Sequence, residues 1–179
     1  MYAEDSDETL PPDQNDAFVP WPDLVYPYVK NNQIRVCPSD TLTESNSYGL
    51  NQSIFIDDTD FLPNLPPSSP NESMLQTPAA TLLLGEVGSL NDLQTPKPNA
   101  LKMVAPDDDE DDTSEARPIA RHFARVNLGF FDGHCKSMRL EQFYGASTGP
   151  GLSFTANQNP PDLWFCAQPE DLGLCKISN

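Results

Sequence analysis

The apolar residues of this chain fall in short runs, and polar or proline-rich stretches separate them. Residues 1–9 are compatible with a short helix until Pro11 and Pro12 end it. In residues 21–30, WPDLVYPYVK, apolar side chains recur at a helical spacing that places them on one face. Pro27 limits that helix to a turn or two, or forces a kink. The beginning of the chain therefore predicts short helices.

The middle of the chain has the patterns of β-strands. Residues 33–37, QIRVC, alternate as a short strand does, and residues 47–56 suit a turn followed by a second strand. Residues 80–87, ATLLLGEV, form a mostly unbroken apolar run, which predicts a central strand buried on both faces. Together with the helical start, these strands predict an α+β domain with a mainly antiparallel sheet.

A β-hairpin is the strongest local prediction, and it lies within residues 121–143. Asp132-Gly133 separates two strand-forming runs, and a type I′ turn needs the positive φ angles that such a pair tolerates. A two-residue turn would place Phe131 opposite His134. In that register, however, the apolar residues of the second strand face away from those of the first. Either both faces are partly covered, or a bulge shifts the register.

Long loops are predicted from the prolines. The chain of 179 residues has 19 prolines, and only 37% of its residues are hydrophobic. Residues 57–70 hold four prolines after three aspartates, and residues 88–117 have little periodicity. We interpret the second stretch as a surface excursion. The length suits one domain over residues 1–179 with a small β-rich core.

The formal charge of −17 limits the choice of partners. Such a surface repels phosphate backbones, so nucleic acid is not an expected partner. Acidic surfaces are common outside the cell, where carboxylates recruit Ca²⁺ at weak sites. Two acidic groups are candidate Ca²⁺ ligands, although neither matches an EF-hand loop and simple solvation is the alternative for both. Their residues are Asp5, Asp7 and Glu8 in the first group, and Asp57, Asp58 and Asp60 in the second.

The four cysteines allow three disulfide connectivities if all are paired. Cys166 and Cys175 enclose a short C-terminal loop, and we expect a disulfide between them. Buried free thiols are the alternative. The other two are Cys37 and Cys135, and no CxxC motif is present. The cysteine spacing therefore gives only weak support for a structural zinc site that uses His122 or His134.

No arrangement of residues predicts catalysis. His134 and Cys135 are adjacent, and neighbours on a strand point to opposite faces. His122 and Asp132 would lie about 30 Å apart along an extended strand. We therefore expect a protein that is not an enzyme. His122 should open the strand, with its ring held by a local backbone group or carboxylate, and Asp132-Gly133 should serve the turn.

With these residues assembled, the pattern RH-x4-N-x2-FFDGH resembles the C-terminal signature of prepilin-type proteins with the H-X9-DG domain, here spanning His122, Asp132 and Gly133. Five further stretches agree with that family in order: MYAEDSDETLPP, WPDLVYPYVKN, VCPSD, SYGLN and TLLLGE. The resemblance covers most of the chain up to Phe143. Residues 88–117 and those after Phe143 show no family pattern.

The resemblance implies a pilin or pseudopilin head with a short helix and an antiparallel sheet. Such a head is a structural subunit of a type IV pilus or a type II secretion-like filament, and its partners are other pilin or pseudopilin subunits. The hydrophobic helix that precedes such heads is not in this sequence, so we expect the sequence to represent the soluble head. The preceding helix would anchor it in the membrane before assembly, and this stretch itself would make no membrane contact.

The expected location is extracellular or periplasmic, on a cell-surface filament. Similar major pseudopilins bind structural Ca²⁺ near the sheet, which adds interest to the acidic groups, although no motif here matches those ligands. An alternative function is an extracellular binding module, either a minor tip subunit or an adhesin-like head. Such a module would hold a ligand through residues 57–70 and 88–117.

Overall fold

The computed structural model describes residues 2–15, 17–41, 46–52, 54–55, 75, 77–89, 97, 99–104, 115–144, 146–147 and 154–155. Within them the fold is α+β, with short helices and a six-stranded mixed sheet that is mostly antiparallel. The helices are α1 (Tyr2–Asp5), α2 (Trp21–Leu24), α3 (Tyr26–Val29) and α4 (Leu140–Phe143). The strands are β1 (Tyr48–Asn51), β2 (Leu82–Ser89), β3 (Lys102–Met103), β4 (Glu115–Pro118), β5 (Val126–Phe130), β6 (Cys135–Met138), β7 (Ala146–Ser147) and β8 (Phe154–Thr155).

The helical prediction for residues 21–30 is confirmed as two single turns, α2 and α3, which Val25 separates. The strand predicted over residues 33–37 is wrong. Asn32–Arg35 instead forms a 3₁₀ turn, because the Asn31 side chain accepts a hydrogen bond of 2.9 Å from the Gln33 N–H and bends the chain. A second 3₁₀ turn, Pro78–Ala80, precedes β2.

The central strand is β2, as predicted, and it pairs with β1, β4 and β5. The strand order is β1-β3-β4-β2-β5-β6, and β1 also pairs with β2. Four strands thus form a closed circuit, from β1 through β3 and β4 to β2 and back to β1. Two pairs in this circuit, β1–β3 and β3–β4, are parallel, so the sheet is more mixed than predicted. β1 also lies where a turn was predicted.

Residues 88–117 are not simply a surface excursion. Lys102–Met103 and Glu115–Pro118 are buried strands of the sheet, so the prediction is wrong for these residues. Both strands are short. Met103 in β3 and Ala116 in β4 are their buried core residues, and one such residue per strand is too weak a pattern to predict a strand. Residues 90–96, 98 and 105–114 lie outside the described part of the chain.

The β5–β6 hairpin is confirmed, but its register differs by one residue. Gly129 pairs with Cys135 and Val126 with Met138, which leaves a loop of three residues, 131–133. Gly133 has φ +87, whereas the φ angle of Asp132 is not positive, so the type I′ turn is wrong. This is a three-residue loop with a glycine bulge. Val126 and Met138 now lie opposite one another, and both are buried.

Two clusters of buried apolar side chains form the core. The larger cluster consists of Leu82, Val87, Ala100, Met103, Ala116, Val126, Leu128, Phe130, Met138, Phe143 and Tyr144. The smaller consists of Leu50, Ile54, Phe55, Leu75 and Phe131.

No helix within the described residues is long and apolar enough to cross a membrane.

Candidate functional site

A carboxylate lies in the middle of the central strand. Glu86 of β2 is 0% exposed. Its Oε1 lies 2.7 Å from Nε2 of His122, and its Oε2 accepts a hydrogen bond of 2.7 Å from the backbone N–H of Asn127 in β5. A buried carboxylate needs such partners because dehydration is costly. Glu86 therefore joins the His122 side chain to strand β5.

The His122 ring is presented by a tight turn rather than by the strand. His122 and Arg125 exchange two backbone hydrogen bonds of 3.1 and 3.0 Å, and β5 begins only at Val126. Between them, Phe123 and Ala124 have positive φ angles of 51° and 61°. The prediction that His122 opens the strand is therefore wrong. Its ring does contact a carboxylate, but one from β2 and not a local one.

A thiol meets the same ring nitrogen. Cys37 is 2% exposed, and its Sγ lies 3.2 Å from Nε2 of His122. The thiol, the carboxylate and the imidazole offer three ligand atoms that all lie within 4.8 Å of one another. Burial raises the pKa of Cys37 above its ordinary value. A backbone hydrogen bond at Ser39 opposes this effect in part, the carboxylate of Glu86 adds to it, and Arg121 opposes it least. The thiol thus keeps its proton at neutral pH. We call these three residues the Cys–Glu–His cluster.

An ion pair lies next to this cluster. Arg121 Nη2 is 2.6 Å from Asp40 Oδ2 and donates a hydrogen bond of 2.8 Å to the Val87 carbonyl. Ser47 connects the two groups, because its Oγ donates to Asp40 Oδ2 at 2.9 Å and accepts from the Cys37 N–H at 3.0 Å. Gly88, with φ +143, leaves room for the guanidinium, and a Cβ there would overlap Nη2.

A second buried polar group lies in strands β3 and β4. Lys102 Nζ is 3.2 Å from Glu115 Oε1 and 3.7 Å from Asp13 Oδ2. Gln52 Nε2 donates a hydrogen bond of 2.9 Å to the same Glu115 oxygen. All three charged side chains are almost completely buried. We call Lys102, Glu115 and Asp13 the lysine cluster.

The Cys–Glu–His cluster does not have the geometry of a nucleophilic catalyst. In such sites the imidazole takes a proton through one nitrogen and is oriented through the other. Here Cys37 Sγ and Glu86 Oε1 both contact Nε2 of His122. The sulfur is also closed off from solvent. Shared hydrogen bonding and metal coordination are the two uses that this arrangement allows.

His122 and Asp132 are not brought together. The partner of Asp132 is His134: Asp132 Oδ1 accepts a hydrogen bond of 3.1 Å from the His134 N–H and lies 2.5 Å from Nδ1. The backbone N–H of His134 and then its ring lower the pKa of Asp132. The residues Asp132 and Gly133 thus serve the hairpin loop, as the sequence predicts.

The predicted calcium ligands are only partly described. Asp5 ends α1, and after the effect of burial its carboxylate raises the pKa of Tyr28, while Asp7 has φ 53. Within the described residues, neither belongs to a group of three ligating side chains. Asp57, Asp58 and Asp60 lie outside the described part of the chain, so the calcium site stays a prediction.

The predicted disulfide also stays a prediction, because Cys166 and Cys175 lie outside the described residues. The other two cysteines are free thiols. Cys37 is buried and Cys135 is exposed. The alternative of a buried free thiol therefore holds for Cys37.

Sequence reasoning did not predict that Cys37, Asp40, Glu86 and Arg121 would meet. One signal was available. Glu86 lies inside the run that was predicted to be buried on both faces, and a buried carboxylate requires partners. His122 was a candidate partner, but the pattern gives no distance between segments so far apart in the chain.

Comparisons were made with protein-family models, with curated proteins and with solved structures. No family model, curated protein or solved structure gives a significant match to this chain.

Proposed function

We propose that this chain is the head of a pilin or pseudopilin: a structural, non-catalytic subunit of a type IV pilus or a type II secretion-like filament. One observation carries the proposal. Segments that resemble the H-X9-DG family lie far apart in sequence but meet in one buried framework. Residues of VCPSD, TLLLGE and the RH pair contact one another through Cys37, Glu86 and His122, and SYGLN supplies β1 beside β2.

A shared framework accounts for the resemblance without catalysis. These residues join the central strand β2 to two loops that flank the sheet. The Cys37 sulfur is buried, and within the described residues the His122 ring has no second partner that would orient it as a base. The resemblance to the H-X9-DG family is therefore better explained by a shared fold than by a shared reaction.

An exposed apolar surface offers a place for subunit contacts. Tyr26 and Val29 of α3 and Ile34 of the 3₁₀ turn are exposed, and together with Trp21 they line one shallow depression. Apolar side chains grouped at a surface are typical of protein contact sites. A neighbouring subunit in a filament would cover them.

Location and anchoring follow from the same proposal. A filament head is extracellular or periplasmic, and a hydrophobic helix before it would hold it in the membrane until assembly. The alternative of a binding module depends on residues 57–70 and 88–117, most of which lie outside the described residues. It stays a prediction.

The test restores the gene, with its own upstream sequence, to a strain that lacks it. We expect the protein to co-fractionate with sheared surface filaments. Ile34→Asp should abolish this co-fractionation, because a charge would enter the proposed contact surface. Phe18→Asp is the matched control, since Phe18 is an exposed apolar residue outside that depression. Absence of the restored protein from every filament fraction would overturn the proposal, whereas filaments that persist in bulk without the protein would favour a tip binder.

A further inference from the structure

Three side chains with different donor atoms converge on one point below the sheet surface. Cys37 Sγ and Glu86 Oε1 lie 3.2 and 2.7 Å from His122 Nε2. We propose that Cys37, Glu86 and His122 bind a divalent transition-metal ion, with Zn²⁺ as the preferred ion. The inference rests on this geometry alone and does not depend on membership of a filament.

Without an ion, one ring nitrogen is shared between two groups. A neutral imidazole nitrogen carries either one proton or one lone pair, yet Nε2 faces both a sulfur and a carboxylate oxygen. A metal ion between the three side chains would bind the lone pair of Nε2, the thiolate and the carboxylate at the same time. Coordination of one ion would thus engage all three side chains at once.

The distances suit a small ion after a modest opening. Zinc–ligand bonds of about 2.0–2.3 Å in tetrahedral geometry separate ligand atoms by roughly 3.3–3.6 Å. The sulfur and oxygen lie 3.2 and 2.7 Å from Nε2, so each must move outward by about half an ångström. Rotation about side-chain torsions supplies such a movement.

The donor set selects the class of metal. Thiolate and imidazole ligands suit Zn²⁺ and neighbouring transition metals, whereas Ca²⁺ and Mg²⁺ require oxygen ligands. This site is thus separate from the calcium site predicted from the acidic groups. A thiolate and a carboxylate would together balance the two charges of the ion, which suits a buried position. The proton of the thiol passes to solvent as the sulfur–metal bond forms.

Neighbouring groups hold the ligands in place. The backbone N–H of Asn127 fixes the second oxygen of Glu86, and Ser47 fixes the backbone of Cys37. Such outer partners orient the ligands of metal sites. The His122 side chain is 31% exposed while Glu86 is 0% exposed. The ring side is therefore the route by which an ion enters, and a water molecule there would complete four-coordination.

The first experiment uses the whole chain, stripped with a chelator, loaded with Co²⁺ or Zn²⁺ and desalted. We expect about one ion per chain, and for Co²⁺ a thiolate-to-cobalt absorption band. Cys37→Ser should abolish the band. His122→Gln should weaken binding by at least the ten- to hundredfold that loss of an outer partner costs. Cys135→Ser and His134→Gln are matched controls that should leave both readouts unchanged. A parent chain that keeps no metal, or a Cys37→Ser variant that keeps the band, would overturn the proposal.

A second measurement remains decisive if Cys37→Ser does not fold. The combined variant Cys135→Ser, Cys166→Ser, Cys175→Ser leaves Cys37 as the one thiol. X-ray absorption of its zinc-loaded form should give one sulfur at about 2.3 Å together with nitrogen or oxygen ligands. Bound zinc without a sulfur neighbour would contradict the assignment.

Discussion

Two buried polar groups of this protein solve the problem of buried charge in different ways. The lysine cluster contains its own cation, because Lys102 lies between Glu115 and Asp13. The Cys–Glu–His cluster contains no lysine or arginine: a thiol and a carboxylate share one ring nitrogen. The nearby Arg121 is engaged by Asp40 and by the Val87 carbonyl.

The difference separates a structural ion pair from a candidate binding site. The lysine cluster carries its own counter-charge, although one lysine faces two carboxylates, and removal of the lysine leaves both carboxylates buried without a cation. A cluster of lone-pair donors is completed by protons or by a metal ion. The lysine cluster is almost completely buried, whereas the His122 ring of the other cluster is 31% exposed. The two groups therefore differ in access to solvent as well as in their balance of donors and cations.

The largest expected effect comes from breaking the lysine cluster. Lys102→Met should lower the free energy of unfolding by about 3–5 kcal/mol, because Glu115 and Asp13 would be left buried without their cation. Denaturant unfolding measures this loss. Arg139→Met is the control: its pair with Glu141 spans 3.7 Å with both side chains exposed, and the change should stay within about 0.5 kcal/mol. A Lys102→Met variant as stable as the parent would contradict the comparison.

The next effect sharpens the contrast between the two clusters. Zinc at a hundredfold excess over its dissociation constant should stabilise the parent by about 2.7 kcal/mol, since it binds only the folded state. Glu86→Gln should lose most of this gain because the amide is a weaker ligand. Thermal melts with zinc and with a chelator provide the measurement. Lys102→Met should keep the gain, and an equal gain in the Glu86→Gln variant would remove the distinction.

The flank of the Cys–Glu–His cluster is expected to be sensitive at Gly88. Gly88→Ala should cost about 2 kcal/mol or more, because the residue has φ +143 and its new methyl would overlap the Arg121 guanidinium. Denaturant unfolding measures the cost. Combining Gly88→Ala with Arg121→Ala should recover the part that is due to overlap. If the double variant is as destabilised as the sum of the single ones, the close approach is not the cause.

The hairpin loop lies outside both clusters and provides a baseline. Gly133→Ala should cost about 1 kcal/mol through its positive φ. The structure has nothing within 4 Å of the added methyl, so no steric term adds to it. Unfolding in denaturant would again give the value. A Gly133→Ala variant that matches the parent would argue against the glycine bulge.

The smallest effect is a pH dependence at the same loop. Folding lowers the pKa of Asp132 below its ordinary value of 3.8, chiefly through the His134 backbone N–H. Its contribution to stability is thus complete above pH 3.8 and is lost as the pH falls through the lower folded value. The parent should therefore lose slightly more stability in acid than Asp132→Asn does. Melting curves recorded across this range measure the difference, and parallel curves would contradict it.

The sequence predicts best where a local rule decides. The apolar run in residues 80–87 gives the central strand, and Asp132-Gly133 gives the hairpin. The two-residue turn is wrong by one residue in register, and the alternative of a bulge that shifts the register is confirmed. The same pair fits both a type I′ turn and a glycine bulge. Only the requirement that Met138 and Val126 share a face distinguishes the two.

The parts that sequence reasoning missed depend on long-range pairing. β3 has two residues, and its place in the sheet is decided by the parallel partners β1 and β4. The Cys–Glu–His cluster joins segments that are 36 and 85 residues apart. His122 reaches it because a turn with two positive φ angles redirects its ring, which the assumption of an extended strand could not predict.

The closed circuit of β1, β3, β4 and β2 also has a consequence for how the chain opens. Each strand in the circuit has at least two paired neighbours, so no member can leave without breaking at least two ladders. β6 pairs with β5 alone in the described part of the chain. Amide hydrogens of β1 and β3 should therefore exchange with solvent only through global unfolding, while those of β6 exchange through local fraying. We therefore expect the circuit to be the slowest-exchanging unit within the described part of the chain.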